Sequence, residues 1–228
     1  MRKALFSFCL AMLITGFGVT QASATTDGAD EKYRSGGHYQ VLSERYGNTG
    51  SDGKIHVVEM FFYACPHCYE LEPKFSQWLK TLPGDVVFER VPAIVGPTWG
   101  EQAKAYYVAE KLGILDSFHK AFFESIHKDG HQYYNEISLI KFFQEQGVQP
   151  ERFIDLVRSQ EIIDKASEAR IRTVKYGLRG VPAVVINGKY VTATYYTRNY
   201  DEMFSVMNWL IEKERKDLAK QPVKSAFK

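Results

Sequence analysis

The chain has 228 residues, with 45% hydrophobic and 25% charged side chains, a balance that suits a globular domain and excludes a disordered or fibrous chain. Its formal charge is +2, and Arg2 and Lys3 account for it: the 29 basic residues less these two leave 27, equal to the 27 acidic ones. Beyond the first residues the charges cancel, so nothing points to nucleic acid or to attraction by an acidic membrane surface.

The N-terminus reads as a targeting segment. Arg2 and Lys3 precede an apolar run from Ala4 to Ile14, and smaller residues then close on Ala22-Ser23-Ala24, the layout of a cleavable secretory signal peptide. The run is shorter than the roughly 20 apolar residues of a membrane span, and Thr15, Gly16 and Gly18 interrupt it. We assign residues 1–24 to the signal peptide. Its removal takes Cys9 and leaves Cys65 and Cys68 as the only cysteines. Export also delivers the chain to an oxidising compartment, where disulfides persist.

Residues 25–53 are polar and rich in Gly, Ser and Asp, an extended segment with one short strand expected at Tyr39–Leu42. The run KIHVVEMFFYA that follows is apolar on both faces, as a covered central strand should be. CPHCYELEPKFSQWLKTL then reads as a helix, with Cys65 at its start, Pro66 in its first turn and Pro73 expected to kink or divide it. DVVFERVPAI supplies a second strand and completes a β-α-β unit over residues 54–96. Residues 97–177 read as all helical. Helices are expected over Glu101–Leu112, Asp116–His127, from Asn135 to just before Gly147, from Pro150, and over Glu161–Tyr176. Residues 178–220 return to strands, 183–186 and 189–192 around an Asn187-Gly188 hairpin turn, and end in a helix over Asp201–Leu218. Residues 221–228 form a basic, fraying tail. The order is β-α-β, a helical block, then β-β-α, which places an all-helical insert within an α/β domain.

The chemistry centres on Cys65-Pro66-His67-Cys68. So small a loop closes with little gain in chain entropy, so a disulfide here is a poor staple. Its use lies in opening and closing. Thiolate is the reactive form, and the positive end of a helix favours it at Cys65; a protonated His67 adds to that pull. Cys68, one turn in, is the more buried partner. A zinc site needs about four ligands, and no second cysteine pair exists to supply them. His127 and His131, placed by Asp129 and Gly130 in a loop, make a weak alternative. CPHC is also not the C-x-x-C-H of haem attachment. No metal is expected.

FFYACPHCYELEP, the later RGVPAVVINGKY and the helical block between them resemble the DsbA family of bacterial periplasmic thiol:disulfide oxidoreductases, from about Lys54 to the last helix. The resemblance implies a thioredoxin-like fold, a central mixed sheet flanked by helices, with an inserted helical domain. It implies that Cys65 is the exposed nucleophile and Cys68 the buried one. It also implies that Pro182 is a cis-proline facing them, with Val181 before it presenting backbone to an extended substrate as an added strand. The Cys65–Cys68 disulfide would be the only redox group and no separate cofactor is expected. Reduced, unfolded secreted proteins would be the substrates, a DsbB-type membrane quinone-linked oxidase the reoxidant, and the periplasm the location, with membrane contact only through that partner.

Glu59 is the anomaly. A carboxylate on a central strand is costly unless paired or protonated. An edge strand would let it reach water. The functional reading makes it the proton acceptor for Cys68, and the family carries an acid at this spacing. Some relatives place a lysine near that acid; here the second strand offers Arg90, which if it meets Glu59 is expected to hold it charged. The function expected is therefore donation of the Cys65–Cys68 disulfide to newly exported proteins. The alternatives are an isomerase or reductase of the same fold, or a non-catalytic chaperone of the envelope. Isomerases commonly carry a dimerisation domain ahead of this fold, and only about 29 residues separate Ala24 from Lys54.

Overall fold

The structure, a computed structural model, describes residues 32–220. The signal peptide, the first residues of the polar segment and the basic tail of residues 221–228 lie outside the described residues.

Ile55–Phe61 forms β2, a strand buried along its whole length. Its right-hand neighbours in sequence give the expected β-α-β unit: helix α1 (Pro66–Leu79) and strand β3 (Val86–Pro92), parallel to β2 with Glu59 opposite Arg90. On its other side β2 pairs antiparallel with β4 (Ala183–Ile186), which pairs with β5 (Tyr190–Ala193), which pairs with the short β1 (Gln40–Val41). The sheet order is β1-β5-β4-β2-β3. β2 is thus covered at both edges, which removes the edge-strand reading of Glu59.

Side chains alternate across the sheet. Ile55 and Val57 of β2, with Val184 and Ile186 of β4, meet Leu71, Phe75 and Trp78 of α1 and Met203, Met207 and Leu210 of α7 (Tyr200–Lys220). Val58, Met60 and Val91 point to the other face, against the helices that lie between β3 and β4 in the chain. Those are α2 (Pro97–Lys111), α3 (Leu115–His127), α4 (Glu136–Glu145), α5 (Pro150–Val157) and α6 (Gln160–Lys175). Their shared interior is aromatic: Phe118, Phe122, Phe143 and Phe153 are fully buried. Arg172 of α6 ties the block to the sheet through a bidentate pair with Glu89 at 2.7 and 2.9 Å. Asn135 caps α4, accepting from the Ser138 amide at 2.9 Å.

Two expectations need correction. Pro73 does not divide α1, which runs unbroken to Leu79; the missing N–H costs only the bond to the Tyr69 carbonyl, and both residues line a cavity beside α3. Helix α2 begins at Pro97 rather than Glu101, because proline is preorganised for the first helical position. The Asn187-Gly188 hairpin forms as expected, with φ of 48° and 57°. Glycine is required at 188 for a second reason: a Cβ there would lie 2.0 Å from the Tyr46 carbonyl oxygen.

Candidate active site

The sheet topology brings distant residues to one edge. β2 runs towards Cys65, and antiparallel β4 begins just after Pro182, so the two ends meet. Cys65 occupies the cap position of α1 in extended conformation, with Pro66 as the first helical residue. Its amide donates to the Phe62 carbonyl at 3.0 Å, and its carbonyl accepts from Cys68 and Tyr69 at 3.1 and 3.2 Å. The chain therefore turns sharply from strand into helix with the Cys65 sulfur at the helix mouth. Both cysteines are free thiols; Cys65 is half-buried and Cys68 only 1% exposed. The Val181–Pro182 bond is cis, and the Val181 carbonyl accepts from Cys65 Sγ at 3.4 Å when that sulfur is protonated.

The surroundings separate the two sulfurs chemically. Donation from the Cys68 thiol, backbone N–H groups of Cys68 and His67, and the His67 charge together bring the Cys65 pKa down to about 6, against the opposing effect of partial burial. Burial, and the neighbouring Cys65 sulfur, push Cys68 well up. One sulfur is an anion near neutrality and the other keeps its proton.

Glu59 is also buried, 1% exposed, and near enough for its charge to add to the rise at Cys68. Arg90 Nε donates to Glu59 Oε2 at 3.0 Å, so the two do meet. Arg90 favours the charged carboxyl, as expected, but burial outweighs it, and Arg90 also donates to Glu72 Oε1 at 2.7 Å. Two carboxylates divide one guanidinium, and a fully ionised cluster would bury a net negative charge. Burial pushes the Glu59 carboxyl up to about 8, with Glu72 adding to the rise and Arg90 pulling against it. His119 joins from α3, its Nε2 3.4 Å from Glu72 Oε2 and its Nδ1 2.9 Å from the Tyr63 hydroxyl. Burial pushes the His119 pKa down, against Glu72.

Sequence reasoning missed Glu72 and His119. Glu72 had a usable pattern: it lies four residues after Cys68, hence on the same face of α1. His119 had none. His127 closes α3 rather than lying in a loop; its Nε2–H donates to the Tyr63 carbonyl at 2.7 Å, and its ring stacks on Tyr69 with centroids 4.8 Å apart. His131 Nδ1 lies 2.9 Å from Ser125 Oγ. His67 lies on the open side of the site, with its side chain 66% exposed.

The DSBA-like thioredoxin domain family matches the chain over residues 84–198. The thiol:disulfide interchange protein DsbA of Pseudomonas aeruginosa is 35% identical over 185 residues, 81% of this chain and 87% of that protein. The chain belongs to the DsbA family. The DsbA of Burkholderia cepacia is 30% identical over 210 residues, 92% of this chain and 96% of its own. The crystal structure of Pseudomonas aeruginosa DsbA superposes with a TM-score of 0.77 at 34% identity, covering 82% of this chain and 97% of that one. The thioredoxin-like fold with a helical insertion, expected from the resemblance, therefore holds, and the protein is a DsbA-type thiol:disulfide oxidoreductase.

Proposed function

We propose that this DsbA-family protein is an exported oxidant, working in the periplasm, that passes a Cys65–Cys68 disulfide to reduced, extended proteins. The observation that carries the reading is the contrast between the two sulfurs: a half-buried thiolate at a helix mouth beside a buried thiol. A group that stabilises the Cys65 thiolate stabilises the reduced enzyme, and so makes its disulfide a stronger oxidant.

The step runs as follows. A substrate thiolate attacks Cys65 Sγ, forming a mixed disulfide and releasing the Cys68 sulfur as a thiolate, which takes up a proton. Glu59, buried and raised to about 8, supplies it in this reading; in the reverse direction its carboxylate accepts the proton as Cys68 attacks. A second substrate thiolate attacks the substrate sulfur of the mixed disulfide and releases Cys65, which leaves easily as an anion. The substrate loses two electrons and the enzyme gains them. A cavity of about 710 Å³ between α1 and α3, lined by Glu72, Arg90 and His119, opens the carboxylate cluster to solvent and gives the proton an exit. Val181 and Pro182, against Cys65, are where the substrate backbone lies. A DsbB-type membrane oxidase, linked to quinone, takes the two electrons and restores the disulfide; no separate cofactor takes part.

The oxidised protein mixed with a reduced dithiol peptide is expected to form one peptide disulfide per enzyme molecule, and Cys65→Ser to form none. Full activity in Cys65→Ser would sink the reading. Faster rescue of a scrambled multi-disulfide substrate than oxidation of a reduced one would favour an isomerase instead.

A further inference from the structure

His67 influences the Cys65 sulfur only as well as its ring is held, and a largely exposed ring is free to change rotamer. Here it is held from α7. Tyr200, the first residue of that helix, brings its hydroxyl to 3.4 Å from His67 Nδ1, 3.3 Å from the His67 carbonyl oxygen and 2.9 Å from Glu70 Oε2. A phenol has one proton to give and can also accept. The carboxylate is the nearest and strongest acceptor, so the O–H donates to Glu70, which leaves the oxygen to accept from Nδ1–H of the ring. Glu70 Oε2 itself lies 3.5 Å from Nδ1. One edge of the imidazole is thus engaged by two groups, while the ring's charge acts on the Cys65 sulfur.

Tyr200 is itself well anchored. Its ring packs against the core between α1 and α7. α7 is fastened to α1 at its start by Lys74 donating to Asp201 at 2.7 Å, and two turns further on by Trp78 Nε1 donating to Asn208 at 2.8 Å. Burial, reinforced by Glu70, pushes the phenol pKa up, so it stays a protonated donor. None of these anchors needs the hydroxyl.

We propose that Tyr200 is a positioning residue for disulfide exchange: its hydroxyl, locked by Glu70, holds His67 beside Cys65 and thereby sets how far the dithiol is favoured over the disulfide. The inference rests on the thiol-oxidant reading above. It locates part of the control of oxidising power outside the four residues CPHC, on a helix joined to them only in three dimensions.

The test removes one oxygen. Wild type and Tyr200→Phe are equilibrated in defined glutathione ratios, where protein disulfide plus two glutathione thiols give protein dithiol plus glutathione disulfide. Alkylated Cys65 and Cys68 are counted by mass spectrometry. The equilibrium constant is expected to fall about three- to tenfold in the variant, a shift of about 15 to 30 mV towards more reducing values. In a His67→Leu background the same substitution is expected to change it by less than about 1.5-fold, as a double-mutant cycle requires if the hydroxyl acts through the ring. No change in the wild-type background overturns the proposal. An equal fall in both backgrounds also overturns it, because the hydroxyl would then act without His67. Failure of the wild type to oxidise a peptide would sink the functional reading alone, since the glutathione comparison does not depend on peptide turnover.

Discussion

A Cys65 thiol that titrates at about 6 ties oxidising power to pH in a definite way. The reduced enzyme holds a proton on Cys68 throughout the neutral range, because burial pushes that thiol well up. Glutathione, with a thiol pKa near the ordinary value of about 8.5, is protonated below pH 7.5. Reduction of the enzyme by two glutathione thiols therefore releases one net proton above pH 6 and none below it. The sign follows from linkage: an acid whose pKa is depressed favours its own state at high pH and loses that advantage as pH falls through the depressed value. The equilibrium constant should be flat from pH 5 to about 6 and then rise towards tenfold per pH unit, about 30 mV, up to pH 7.5. At pH 7 the depressed thiol stabilises the reduced enzyme by about 1.4 kcal/mol relative to an ordinary cysteine. The assay is the glutathione titration at half-unit pH steps, with thiolate absorbance near 240 nm as an independent reading of Cys65. A constant that stays flat through pH 7.5 would refute the account of the donors around that sulfur.

Four further outcomes are expected. Glu59→Gln should slow the resolution of a mixed disulfide by Cys68 about ten- to a hundredfold in stopped-flow measurements. The same variant should gain stability at high pH: the Glu59 carboxyl is raised from 4.5 to about 8, so the native protein loses stability as pH rises through that window. We expect a gain of about 1–3 kcal/mol at pH 8 that vanishes near pH 4.5, and a stability difference independent of pH would contradict it. Phe118→Ala, which opens a hole among Tyr63, Phe122, Phe142 and Phe143, should cost about 3–5 kcal/mol in denaturant unfolding. Arg172→Ala, which frees Glu89, should cost about 1.5–3 kcal/mol while leaving the Cys65 titration unmoved; a shifted titration would show that the insert reports to the sulfur through this pair.

The parts of this site that could be read from the chain are those set by local geometry. Cys65 at a helix start, Cys68 one turn in, and Glu59 on the covered strand all follow from period and punctuation within a dozen residues. Arg90 came from the family resemblance, at the place where some relatives carry a lysine, and the register indeed sets it opposite Glu59. The protonation of Glu59 did not follow, because complete burial outweighs the pull of Arg90 and a third group, Glu72, draws on the same guanidinium. Tyr200 and His119 are out of reach of any periodic argument: each arrives on a helix whose docking is decided by packing of other residues. Pro73 shows the opposite failure, a strong local rule outweighed where the helix rests on the sheet through Leu71, Phe75 and Trp78.

The hydrogen bond between Cys65 Sγ and Val181 spans 116 positions, and this has a meaning for the protein's own birth. A chain that emerges N-terminus first exposes Cys65 and Cys68 while β4 and α7 are still to come. At that stage β2 lacks an antiparallel neighbour, no carbonyl faces the first sulfur and no phenol faces His67. The newborn pair has only its local amides and His67 around it. The Val181 carbonyl and the Tyr200 phenol arrive with the last fifth of the chain, so a truncated product carrying an intact CPHC would have the reagent without the instrument.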